Sequence, residues 1–278
     1  MRWGKGWVGP YRLLRPHGDC EKGELFAATR EGAVGFQKPV AVWRVQVSGR
    51  HEARFLDAVV QEAKRAALLS HANIAHVLDL GVCEGACFVA TELCPGASLE
   101  ILLRSVGTLR WPAVAAIGKG AARALHYAHL RRDSNGELLR LIHGRLSPRR
   151  IVMGAAGAIK ITGFGTSRAW LALDVYRAPE EERSEPIDGR ADVFSLGRIL
   201  DRCLGCGAAP PALEHAIERA TEPYQEHRWT AGELEAELTE ILHRSGQPED
   251  ELGLSALSTL PSPQSKIDAS GLADLLGL

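Results

Sequence analysis

The chain lacks any apolar run approaching the roughly 18–20 residues that span a bilayer. Its opening, M-R-W-G-K-G-W, carries charge without the apolar segment of a secretion signal. No membrane span and a cytoplasmic residence are therefore expected. Charge of either sign is not in excess: the formal net charge is -1, which gives no ground for bulk attraction to nucleic acid or membrane. Cysteine pairs are scarce. Of six cysteines only Cys203 and Cys206 form a C-x-x-C, while Cys83 and Cys87 lie four apart in another segment. A structural zinc site needs two such pairs, or histidines at matching spacing, so no metal site is expected. Internal repeats are absent too. What remains is an ordinary globular composition, 45% hydrophobic and 24% charged, in 278 residues. That length suits one large domain or two lobes around a cleft.

The pattern changes character along the chain. Tyr11 to Ala28 alternates apolar and polar residues around Gly18 and Gly23, which predicts two strands and a turn. Pro39–Val47, Val77–Val82 and Cys87–Thr91 read as three further strands. Between them, Glu52 to Leu69 places Phe55, Val59, Ala66 and Leu69 on one helical face. From about Ser98 the chain turns helical. Trp111–His129 repeats Val114, Ile117, Ala121, Leu125 and Ala128 at three-to-four spacing, and further helices are expected at Ala191–Leu204, Pro211–Ala220 and Ala231–Arg244. The last thirty or so residues are rich in Pro, Ser and acid and read as a linker. The expectation is an α+β fold of two lobes. A small lobe, residues 1–93, holds a five-stranded antiparallel sheet and one helix; a larger helical lobe covers 94–244, and a tail covers 245–278.

Two stretches carry chemistry. L-I-H-G-R-L-S-P-R-R-I-V runs from Leu141 to Val152, and I-K-I-T-G-F-G from Ile159 to Gly165. With V-A-V-W ending at Trp43, R-A-P-E at Arg177–Glu180, A-D-V-F-S-L-G at Ala191–Gly197 and H-R-W-T at His227–Thr230, they resemble the protein kinase family, in its bacterial serine/threonine branch, from Tyr11 to Arg244. The resemblance implies structural roles for several residues. His143 and Phe164 fit the catalytic-loop and metal-loop backbones, Asp192 ties down the catalytic loop, and Glu180 pairs with Arg228. Glu62 stands for the helix glutamate, Thr91 for the gatekeeper and Glu92 for the start of the adenine-gripping hinge.

The same resemblance exposes four departures. Trp43 stands where the phosphate-pairing lysine belongs, Arg145 at the base aspartate, Arg150 at the metal-binding asparagine and Gly163 at the metal-binding aspartate. A guanidinium is no base at pH 7 and repels a metal ion. In the glycine-rich loop Gly18 and Gly23 remain, but Cys20 and Glu21 take positions facing the phosphates. The Trp43 indole either fills the adenine slot or leaves it open, and Glu62 points either inward or to solvent.

These departures imply a kinase-like domain without catalysis or cofactor, a pseudokinase that binds protein as a scaffold or regulator. An alternative is a switch that binds ATP without magnesium, using Gly18, Gly23, Thr91, Glu92, Arg145 and Arg150. In that reading Arg145, Arg149 and Arg150 cluster with Lys160 and Arg168 as an anion site. A third reading, an unorthodox kinase, would draw on Asp174 or Asp188. Only Thr166 and Ser167 are nearby phosphorylation candidates. A protein partner is expected at the tail, where Ile267–Leu278 would present Leu272, Leu275 and Leu276 on one face of a short helix.

Overall fold

The computed structural model describes residues 2–4, 6–17, 23–46, 52–83, 86–154, 157–166 and 174–246. Gly18, Cys20, Glu21, Ser167, Arg168 and the Ile267–Leu278 segment lie outside them.

Seven strands form one antiparallel sheet. They are β1 (Arg2–Gly4), β2 (Trp7–Gly9), β3 (Tyr11–Pro16), β4 (Glu24–Glu31), β5 (Gln37–Gln46), β6 (Val77–Cys83) and β7 (Ala86–Glu92). Their order is β1-β2-β3-β4-β5-β7-β6. The expected five strands are thus β3 to β7, and the lead-in adds two more. Of the added strands, β2 is anchored by Val8, which buries its side chain with Tyr11 of β3, Val40, Val42 and Phe88 on one face of the sheet. Gly9 makes this approach feasible: a Cβ there would lie 3.0 Å from the Phe88 ring. The Tyr11 hydroxyl donates to Asp79 Oδ2 at 2.9 Å and closes the curled edge.

The opposite face of the sheet receives α1 (Glu52–Ala66). Strand alternation sends Trp43 and Val45 to this side, where they meet Val59, Ala63, Cys87 and Val89. The helix stops at Ala66 rather than Leu69, and Leu69 is buried from the turn that follows.

The helical part is built on α3 (Trp111–His129), which is buried almost all round. Its small residues let neighbours close in: a Cβ on Gly118 would lie 2.8 Å from Leu238 and 2.9 Å from Leu200. Those leucines belong to α7 (Ala231–Ser245) and α5 (Arg190–Leu204). Around this centre stand α2 (Leu99–Val106), α4 (Pro179–Glu182) and α6 (Pro211–Ala220). Helix α7 opens on a capping box, with Thr230 N–H donating to Glu233 at 2.7 Å and Glu233 N–H to the Thr230 hydroxyl at 3.3 Å. A small sheet of β8 (Ala97–Ser98), β9 (Ile151–Met153) and β10 (Ile159–Ile161) lies under the large one. Asn73 and Ala75 stitch the two parts together through main-chain bonds to Ile161 of 2.8 and 2.9 Å. The result is the expected two-lobed α+β architecture. The C-x-x-C is divided between core and solvent, with Cys203 buried and Cys206 exposed.

Candidate functional site

A cavity of about 350 Å³ opens between the large sheet and the helical lobe. Leu25 and Ala41 cover it from the sheet, Val152 lines it from β9, and Thr91, Glu92 and Cys94 line it from the strand that crosses between lobes. Trp43 forms part of the wall but does not fill the space. Its indole is 1% exposed and is absorbed into the core between sheet and α1. This decides between the two readings of Trp43: the slot stays open. Gly23 has a matching task. Its φ of +89° is in glycine territory, and a Cβ there would meet Arg44 O at 2.2 Å and Trp43 Nε1 at 3.0 Å.

The loop beneath the cavity is held by one buried carboxylate. Asp192 accepts the backbone N–H groups of His143 and Gly144, both at 2.8 Å, and a 2.9 Å bond from His129 Nε2. Burial alone would raise its pKa. The His129 bond, with the Gly144 N–H, outweighs burial and holds it below the usual carboxylate range. His143 is driven the other way. Burial favours its neutral form, against the pull of Asp192, so its pKa is lowered. The neutral ring then accepts from Arg145 N–H at Nδ1 (3.2 Å) and donates from Nε2 to Thr162 O (3.0 Å). Phe164 stands edge-on to it, centroids 4.8 Å apart.

Arg150 is 8% exposed and, with Arg149, lines the cavity. A Cβ on Gly163 would lie 3.0 Å from Arg150 Cδ, so the Arg150 side chain runs through the space beside the bare glycine. Gly163 has φ +103°, and Gly165, at φ +77°, lies so close to α1 that its Cβ would meet Ala66 Cβ at 2.9 Å.

The expected basic cluster is only partly assembled. Arg145 turns away from the cavity, donating to Gly144 O at 2.6 Å and facing Glu181 at 3.7 Å. Burial raises the Glu181 pKa despite that guanidinium. Lys160 pairs with Glu92 at 3.0 Å, and Glu92 also meets His76 Nδ1 at 3.1 Å. Burial works against the Glu92 charge, but these partners prevail and its pKa is lowered. Burial first and then Glu92 push the Cys94 thiol up to about 12, which favours its protonated form. Glu62 is half-buried on α1 and does not line the cavity. Thr166 is 6% exposed and donates its hydroxyl to Gly163 O at 3.1 Å. Glu180 and Arg228 make a two-pronged pair of 2.6 and 2.9 Å. Burial would raise Glu180, yet the guanidinium keeps it below its ordinary value.

Sequence reading missed His129 and Glu181 as partners of Asp192 and Arg145. His129 had a faint signal, a basic residue in the last turn of a strong helix. Glu181 had none, because its pairing with Arg145 is set by tertiary folding.

Leu25, Ala41 and Val152 give the cavity apolar walls of the kind that an adenine ring packs against. Among the described residues magnesium finds no fitting set of ligands: Arg150 and Gly163 offer no oxygen side chain. The cavity carboxylates, Glu92 and Glu100, are engaged with Lys160 and His76 and with Arg104 and Arg202. The comparisons with known proteins bear on what such a site belongs to. The chain is 32% identical over 211 residues to the tyrosine-protein kinase MasK of Myxococcus xanthus, covering 70% of this chain and 33% of that protein. It is 30% identical over 224 residues to the serine/threonine-protein kinase PknD of Mycobacterium tuberculosis, covering 76% and 32%. It thus spans about a third of the length of these relatives. The crystal structure of the Mycobacterium tuberculosis PknI kinase domain superposes with a TM-score of 0.67 at 23% identity, covering 86% of this chain and 100% of that one. Relatives named as kinases overturn the exclusion of an enzyme argued from Trp43, Arg145, Arg150 and Gly163. An inventory of four side chains is no sufficient ground for it, and the expectation of no cofactor loses its support with it. The sequence profile described as protein kinase domain matches residues 18–231, and the chain belongs to the protein kinase family.

Proposed function

We propose that this kinase domain is a nucleotide-responsive regulator that acts on a protein partner. The observation that carries the reading is the open cavity, kept free by the withdrawal of Trp43 into the sheet–α1 core. Adenine would lie between Leu25, Ala41 and Val152, against the backbone of Glu92 to Cys94. The phosphates would run toward Arg149 and Arg150, whose guanidiniums supply charge-assisted hydrogen bonds where a metal ion would otherwise stand. ATP binding is then independent of magnesium. The output is a protein contact, for which the leucine-bearing segment Ile267–Leu278 is the proposed docking peptide.

Calorimetry of the purified chain with ATP, with and without magnesium, tests the nucleotide half. Equal affinity in both conditions is expected, with about tenfold weaker binding for the exposed-site variant Arg149→Ala. No heat at millimolar ATP, or a strict need for magnesium, would remove the proposal. Phosphate incorporation in the same samples reads transfer directly.

A further inference from the structure

A second and larger hollow, about 910 Å³, lies on the other side of the helical lobe. It is bounded by the turn after α1, the C-terminal half of α3 and the first half of α7. Its surface combines two features that rarely sit together without an occupant. Leu68 and Leu130 are 45% and 57% exposed there. Beside them stand Arg123, Arg131 and Arg132. Tyr127 and His71 stack with centroids 5.0 Å apart and form a flat wall, with the Arg131 guanidinium 5.9 Å from the Tyr127 ring. Arg131 Nε is buried and has no hydrogen-bond partner among the described residues. Arg123 is balanced by Glu235 at 2.7 Å, and Arg132 donates to Gly136 O at 2.6 Å. The lining is net positive, with three arginines against Glu235 and Asp133, the latter turned to accept the Asn135 and Glu137 N–H groups at 2.8 and 3.0 Å.

We propose that this groove binds the chain's own segment 249–260 in cis. Charge complementarity selects it. The segment opens Glu249-Asp250-Glu251, continues with Leu252, Leu254, Leu257 and Leu260, and meets no basic residue before Lys266. Its point of departure suits the groove as well. Glu235 lines the hollow and α7 ends at Ser245, so the helix carries the chain about 15 Å past it. Gly246 then adopts the left-handed conformation, φ 63°, that turns a chain off its helix axis. Roughly five extended residues cover the return, which brings the acidic triplet level with the rim. The leucines that follow match the exposed Leu68 and Leu130. Docked in this way, 249–260 would leave Ile267–Leu278 projecting for a partner.

Hydrogen exchange on the full chain tests the idea, comparing the natural sequence with E249K/D250K/E251K, a change outside the folded core. Backbone amides of 68–72 and 128–134 are expected to exchange about fivefold faster in the variant. Adding R131E/R132E should restore their protection. Unchanged exchange in the tail variant overturns the proposal. So does protection that grows with protein concentration together with a dimeric elution volume, which would assign the groove to a second copy. A failure of the double arginine change to fold leaves the first comparison decisive.

Discussion

At the scale of single residues, a few buried charged side chains hold the backbone in place. Arg228 shows what holding means. Its guanidinium is fully buried, meets Glu180 with two nitrogens, and also donates to Glu222 O and Arg190 O at 2.8 and 2.9 Å. Phe194 covers it at 4.9 Å. Truncating one member strands a buried charge, so Arg228→Ala is expected to lose about 3–5 kcal/mol in urea denaturation. Removing both charges as Glu180→Gln with Arg228→Met should cost less than the single change, because no ion is left unpaired. A single variant as stable as the natural chain would show that the pair contributes nothing. These residues were legible in the sequence because R-A-P-E and H-R-W-T are local words. The direction taken by Arg145 was not, since it depends on Glu181, which only the folded loop brings near.

At the scale of elements, β5 decides the shape of the cleft. Its alternation sends Ala41 and Trp43 to the side of α1 and the cavity, and Val40 and Val42 to the other face. A period of two is visible in the sequence, and so were the five main strands and five of the helices, whereas the short α2 and α4 were not. The depth to which an indole sinks is not visible, because it depends on how closely Val59 and Ala63 of α1 approach. Strands β1 and β2 escaped notice for a related reason: each is only three residues long, and the surface at Phe88 that receives Val8 of β2 is remote in sequence. If Trp43 is a packing element rather than a plug, Trp43→Ala should destabilise by about 3–5 kcal/mol through the void it leaves. A loss well under 1 kcal/mol would mean that the ring lies loosely in the cavity instead.

At the scale of the whole molecule, protonation links the parts. His143, His17 and His71 all have pKa values lowered by burial first. The unfolded chain therefore binds more protons at these sites, and stability is complete above about 6.5 and falls as pH drops below it. Asp192, Glu180 and Glu92, lowered by their partners, add a second loss at more acid pH, below about 4. Glu181, raised by burial, acts in the opposite sense and gains as pH falls. The urea midpoint should thus be lower at pH 5.5 than at pH 7.5; the reverse order would mean that the buried imidazoles carry charge in the fold. The close seat of Gly165 against Ala63 and Ala66 has a mechanical consequence. With no side chain between them, the loop below the cavity and helix α1 share one bearing surface. Any displacement of that loop is handed straight to α1 as a push, with no compliant layer to absorb it.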